Sequence, residues 1–382
     1  MSRGAWPFVL AVALACGDDD GGTGGTNDGG TAVPSDGGTI TDGGLRTEAA
    51  RTCTSQTTQQ ARVACAANAL LATLNDAQKA SVGLALTDYV NRSKWSNFPV
   101  MLNTRAGVQM SALSTVSQSA TLDLMDISLN ALGQGTATGI LRADDYLAAM
   151  QQGYGSALYS VAIFGTPGPS SNFEVMFGGH HMAYNLSFID GSFYPVPQHL
   201  GAEPKGPFTL DGASYDPMSS KGDAMFAVYN ALDATQKATA YLSGQTFSDT
   251  IAAPSLDYGK GASRTTSSVY PAGGNRKGVK VSDLSAAQQA LVTAAIEQWV
   301  RQYPGEVVDA LMTAYTSAYD DTLFAWAGAS SGPSKDVTRS YLRIDGPRVW
   351  IEASVQGGIV IRGQTHYHTI YRDKTLDYGG QL

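Results

Sequence analysis

The stretch FEVMFGGHHMAYNLSFIDGSFYPV, residues 173–196, decides the fold. Its aromatic and branched residues read as two extended runs, 173–179 and 180–196. Asp190-Gly191 reads as a tight hairpin turn within the second run. Successive side chains of a strand point to opposite faces. From His180, one face carries His180, Met182, Tyr184, Leu186 and Phe188, which is a core face. The other carries His181, Ala183, Asn185 and Ser187, polar enough to line a site. Regular alternation then sends the rings of His180 and His181 to opposite sides of the sheet.

Further strand signals surround this block. ALYSVAIFG (157–165) precedes it, and SYLRIDGPRVWIEAS (340–354), turning at Asp345-Gly346, lies near the C-terminus with GIVIRGQTHYHTIYRD (358–373). Helices are marked by a recurring start signal. Asn75, Asp233 and Ser285 each stand three residues before a glutamine and open an apolar-periodic run, as a capping box does. Helical pattern also begins near Thr57, with Val63, Ala67, Leu70, Leu71 and Leu74 on one face. Another helix is expected after Ser114, ending at Gly133. The longest helical region runs from Ser285 to about Tyr319, broken at Pro304. Segments 197–224 and 244–282, rich in Gly, Pro and Ser, read as long loops of the kind that often carry function. Helices, strands, helices and strands again do not alternate as a βαβ chain would. The order predicts an α+β fold, an antiparallel sheet with helices packed around it.

The ends of the chain and its charge narrow the functional classes. Of 382 residues, 43% are hydrophobic and 15% charged, enough for a large core. Residues 1–16 read as a secretory signal: Arg3, an apolar run too short to span a bilayer, then ALAC ending at Cys16. ALAC resembles a bacterial lipobox, with Ala13 where that pattern prefers Leu; an ordinary cleaved signal is the alternative reading. Residues 17–45 hold eleven glycines and six aspartates and read as a disordered, solvated tether. Residues 46–382 then form a single folded domain. The net charge of −8 resides mostly in the tether, which leaves the folded body near neutral. No basic stripe points to nucleic acid, and any membrane association is through the lipid anchor alone. The expected location is exported and lipid-anchored at the cell envelope, or soluble in the periplasm or outside the cell. In an exported chain, Cys53 and Cys65 are expected to pair as a disulfide, provided their Cα atoms come within about 7 Å.

The histidines carry the chemistry. Only five are present, and four lie in two short motifs, His180-His181 and His366-Tyr-His368. An HxH spacing puts both imidazoles on one strand face, about 7 Å apart at Cα, where they can share one ion. A third ligand from another strand completes a three-histidine site with an open position, a donor set suited to zinc, copper or iron. His181 is the expected third ligand, with His180 in reserve. His199 reads as a loop histidine. Glu352, Arg372 and Asp373 are candidate catalytic or ligand-orienting groups near the HxH motif, with a structural Arg–carboxylate network as the simpler reading of them. The histidine pairs likewise fit a polar core in which they bind nothing. No nucleophile elbow, Walker loop, HExxH or Rossmann glycine pattern is present.

Eight ordered blocks carry a resemblance across the body: WSNFP (95–99), GVQMSALS (107–114), SVAIFGTPG (160–168), FGGHHMAYNLSF (177–188), LGAEPKGPF (200–208), FAWAG (324–328), YLRIDGPRVWIE (341–352) and HYHTIYRDKTLDYGG (366–380). Together they resemble the exported bacterial and fungal family called domain of unknown function 3500. The resemblance places GHH and HxH motifs at His180, His181, His366 and His368, and implies no established reaction. Gly178 stands where the family often has an acidic residue. Two functions follow as expectations: a surface-tethered metal-dependent enzyme, hydrolytic or oxidative, acting on a small-molecule or envelope-derived substrate, or a metal-free module binding a peptide, glycan or other surface component. If Cys16 carries a lipid, Cys16→Ser should move the protein from the membrane fraction to the soluble exported fraction. A wild-type protein that is already soluble would contradict the anchor.

Overall fold

The computed structural model describes residues 45–253 and 270–380. Cys16, the signal and residues 17–44 of the expected tether lie outside them. Leu45, which composition assigns to the tether, is buried, and its carbonyl accepts from Arg51 Nη2.

The chain opens with helices α1 (Glu48–Cys53), α2 (Gln59–Thr73) and α3 (Asp76–Val82), strand β1 (Gly83–Leu84), helix α4 (Tyr89–Arg92) and strand β2 (Val108–Gln109). Helices α5 (Thr115–Ser128) and α6 (Ala131–Ala148) lead into β3 (Ser160–Gly165), β4 (Phe173–Gly179), β5 (Met182–Ile189), β6 (Ser192–Tyr194) and β7 (Gln198–Ala202). After the small hairpin β8 (Phe208–Leu210) and β9 (Ala213–Tyr215) come α7 (Ser219–Ala231), α8 (Ala234–Ala240) and β10 (Val279–Lys280). The chain finishes with α9 (Ala286–Val300), α10 (Glu306–Thr316), β11 (Leu323–Ala327), β12 (Tyr341–Asp345), β13 (Val349–Gly357) and β14 (Thr365–Asp373).

Twelve strands of the described residues form one mixed sheet in the order β1-β3-β4-β5-β7-β14-β13-β12-β11-β10, with β2 beside β3 and β6 beside β5. Only β1 with β3 is parallel. The fold is α+β. The anticipated capping boxes are present at Asn75, Asp233 and Ser285, each with reciprocal bonds to its glutamine.

The two sheet faces are covered differently, and this positions the site. On one face Val175, Leu186, Leu200, Ile351 and Tyr371 join the large core with α2, α5, α6, α7, α9 and α10. The other face packs Ala162, Met176, Ala183, Trp350 and Ile370 against Trp95, Ala106 and Ala252, which come from irregular segments. That second face bears the histidines.

Two expectations change. The helix expected from Ser114 to Gly133 is two helices, because Leu129 turns extended and Asn130 caps a new start at Leu132 and Gly133. Gly133 is a packing glycine: a Cβ there would lie 2.4 Å from the Gln302 carbonyl oxygen. The expected loop 197–224 contains β7, a central strand between β5 and β14. Five residues that include a glycine and follow a proline give too little periodicity to announce a strand.

Cys53 and Cys65 form a disulfide that ties α1 to α2, with Cα atoms 5.5 Å apart. Its short loop should contribute about 2–3 kcal/mol through the unfolded chain. Chemical denaturation of Cys53→Ala with Cys65→Ala is expected to show a loss of that size, and thiol titration of the unfolded wild type should find neither cysteine free.

Candidate metal centre

The centre forms where β7 and β14 run side by side. His366 and His368 alternate onto the loop-covered face of β14, and Gly201 of β7 pairs with His368. At Gly201 a Cβ would lie 2.6 Å from the Tyr367 carbonyl oxygen and 3.2 Å from carbon atoms of the His181 and His368 rings. Glycine therefore leaves the space that the imidazoles fill.

His181 arrives from the connection between β4 and β5. Gly179 pairs with Met182, so His180 and His181 are the two residues of the turn rather than the start of a strand. His181 takes a left-handed φ of 62°, and its carbonyl accepts from Gly201 N at 2.8 Å. Because the doublet is a turn, alternation does not apply. The two rings stack, centroids 3.6 Å apart, instead of pointing to opposite faces. His180 Nδ1 lies 2.6 Å from Asp144 Oδ1, and Asp144 Oδ2 accepts from Gly155 N. Tyr154 meets the His180 ring edge-on.

The side chains of His181, His366 and His368 converge. Nε2 of His368 lies 3.1 Å from Nε2 of His366 and 3.0 Å from Nε2 of His181. One nitrogen from each ring falls within 4.8 Å of the others, a group that could hold a metal ion. His180 is not among the three. All three rings are buried. Burial, followed by the neighbouring imidazoles, holds His181 and His366 well below the usual histidine range, so they stand neutral as ligands require.

Behind His368, its Nδ1 lies 2.9 Å from Asp249 Oδ1 and 3.0 Å from Asn97 Nδ2. Asn97 Nδ2 also donates to Asp249 Oδ2 at 2.7 Å. Burial alone would raise the Asp249 carboxyl; the neighbouring His368, with the Thr250 N–H, brings it down to about 2. An ionised Asp249 accepts a hydrogen bond from an Nδ1–H of His368, the tautomer that leaves the Nε2 lone pair facing the other two rings. This is the carboxylate–histidine arrangement found behind metal ligands.

The three candidate catalytic groups do not reach the cluster in that form. Asp373 is on the helix-covered face, opposite to His366 and His368, where it accepts from Arg348 Nη2 at 2.6 Å and Tyr315 Oη at 2.9 Å. Arg372 shares the histidine face, but donates to Asp377 Oδ2 and the Ala252 carbonyl, both at 2.6 Å. Glu352 accepts from Trp350 Nε1, Tyr341 Oη, Ile251 N and Ala252 N. It clamps the segment that carries Asp249, and burial pushes its carboxyl up. The network reading fits all three.

Several neighbours escaped the sequence reading. His199 is on β7, fully buried, with its ring 5.6 Å from that of His368. Asp249 sits in a segment read only as loop, and Asn97 in a short aromatic motif. Asp144 had one visible signal: it is a carboxylate on the apolar stripe of α6, four residues after Ile140 and three before Leu147. At Gly178 a Cβ would lie 3.9 Å from Arg105 Cδ and 3.8 Å from the Met182 carbonyl oxygen, both ordinary contacts. A cavity of about 690 Å³ opens elsewhere, lined by Arg62, Arg348, Phe193 and Tyr194, and none of the five histidines lines it.

The sequence profile of the family described as Protein of unknown function (DUF3500) matches residues 56–380. The chain belongs to that family. No curated protein and no solved structure matches it. Membership in DUF3500 thus covers both histidine motifs and leaves the chemistry to be argued from the site. No helix among the described residues is long and apolar enough to cross a membrane.

The depressed imidazoles set a pH dependence. Unfolded histidines bind protons below about pH 6.5, whereas folded His181 and His366 do not, so their contribution to stability is present above that pH and is lost on acidification. Denaturation midpoints of chelator-treated protein should fall between about pH 7.5 and pH 5 by more in wild type than in His181→Asn with His366→Asn. An equal or smaller fall in wild type would contradict this.

Proposed function

We propose that this protein is an exported metalloenzyme in which His181, His366 and His368 hold one transition-metal ion. The observation that carries the reading is the meeting of three Nε2 atoms at one place. Ligand nitrogens about 2.0–2.1 Å from one tetrahedral ion stand roughly 3.3 Å apart, close to the 3.0 and 3.1 Å that separate His368 Nε2 from His181 and His366. Hydrogen bonding among the rings is a poorer account. The single in-plane lone pair of His368 Nε2 serves one donor well, and two imidazoles approach it.

Three histidines leave a coordination position open for water or substrate, as catalytic sites do. With zinc the ion would activate water for hydrolysis; with copper or iron it would support oxidation. Asp144 engages Nδ1 of His180, leaving Nε2 as the remaining polar atom of a ring stacked on His181. On this reading His180 would stand beside the ion. The substrate is a small molecule or an envelope component, with Cys16 as the membrane attachment. The disulfide is compatible with export.

The second reading, a metal-free binding module, draws on the same short contacts, since either separation taken singly, 3.0 or 3.1 Å, also fits one imidazole–imidazole hydrogen bond. Metal analysis of protein purified without a histidine tag separates the two. One ion per chain is expected in wild type and none in His366→Ala with His368→Ala. Failure to take up zinc, copper or iron on reconstitution would refute the enzyme reading and leave the binding module.

A further inference from the structure

His199 is a fully buried polar group at this face that the metal reading does not use, and one whose ring nitrogens are unmatched among the described residues. A neutral imidazole carries one N–H donor and one acceptor nitrogen. Burying both unmet is unfavourable, and such a group normally marks a bound water or molecule. Among the described residues, none hydrogen-bonds either nitrogen. The ring stacks on Trp95 at 6.5 Å and lies edge-on to His368 at 5.6 Å. Across the sheet its paired residues are Ala183 on β5 and Ile370 on β14.

Register gives the direction of the ring. His199 and Gly201 are two apart on β7 and share a face, and Gly201 is paired with His368. The His199 ring therefore opens onto the space beside the three imidazoles. We propose that His199 hydrogen-bonds a small non-protein ligand, an oxygen donor or small anion, held at the position that His181, His366 and His368 leave open. This inference rests on the metal reading above. It makes His199 a residue that binds the exogenous ligand and takes no part in holding the ion.

The test uses the full chain loaded with copper and azide as the probe, followed through its ligand-to-metal absorption band. Wild type should bind azide. His199→Phe, which keeps the stack on Trp95, should retain one ion per chain and bind azide about tenfold more weakly or worse. His199→Gln, which restores a donor and an acceptor, should recover most of the affinity. Azide binding in His199→Phe within about twofold of wild type would overturn the proposal, since a tenfold change is the size of one hydrogen bond. Loss of the ion in that variant would also overturn it, by making His199 a ligand.

Should wild type take up no ion, the metal reading fails separately. A high-resolution crystal structure of wild type then decides for His199, as it does if the variants do not fold. Non-protein density within hydrogen-bond distance of a His199 nitrogen supports the proposal, and its absence overturns it.

Discussion

The loop-covered face of the sheet buries imidazoles, guanidinium groups and carboxylates, and each must be matched there or forfeit several kcal/mol. This constraint organises the irregular segments. Glu174 on β4 accepts from Arg92 at 2.7 Å and Ser187 at 2.8 Å. Arg105 donates to the carbonyls of Ser96 and Gly179, both at 2.8 Å, and so joins the 95–105 segment to the histidine turn. Glu352 and Arg372 grip residues 251–252 from the sheet through backbone groups. Segments without regular hydrogen bonding of their own are thereby held against the strands. Asn97 and Asp249, which stand behind His368, sit on those held segments.

The same logic separates positioning groups from reacting ones. A carboxylate with four donors, as Glu352 has, is committed to structure and has little capacity left for a substrate. Asp249 differs because its bonds go to the His368 ring itself, to Asn97 and to Thr250 N. It sets the tautomer of His368 and so determines where the Nε2 lone pair points. Glu352 therefore acts on the cluster at one remove: it fixes the segment, and the segment fixes Asp249.

Much of this was legible in the sequence, for identifiable reasons. Fold class followed from strands that alternate and helices whose caps are local, since Asn75, Asp233 and Ser285 interact only within their first turn. HxH on one strand face is equally local, so the pairing of His366 with His368 could be read directly. Contacts over long sequence distances were not legible. Asp249 reaches His368 across 119 residues and Asp144 reaches His180 across 36, and neither leaves a spacing signal. Strand β7 escaped because its neighbours in the sheet, rather than its own sequence, make it a strand. Once it is placed centrally, His199 and Gly201 change from loop residues to residues of the site.

The doublet His180-His181 shows why turn geometry matters more here than strand periodicity. Had both residues continued β5, alternation would have sent one ring into the helix-packed core, among Met182 and Tyr184. As the two turn residues, with His181 at positive φ, they bring both rings together, stacked at 3.6 Å. The turn then assigns them different partners. Asp144 on α6 holds Nδ1 of His180, whereas His181 presents Nε2 to His368. Adjacent identical residues thus become unlike groups, one bound to a carboxylate and one within the triad of imidazoles. Gly179 permits this as well, because a Cβ there would lie 2.4 Å from the Tyr159 ring, whose hydroxyl donates to the His180 carbonyl and closes the turn. A run of Gly-His-His at the end of a strand is therefore better read as a device for placing two rings side by side than as the first residues of the strand that follows.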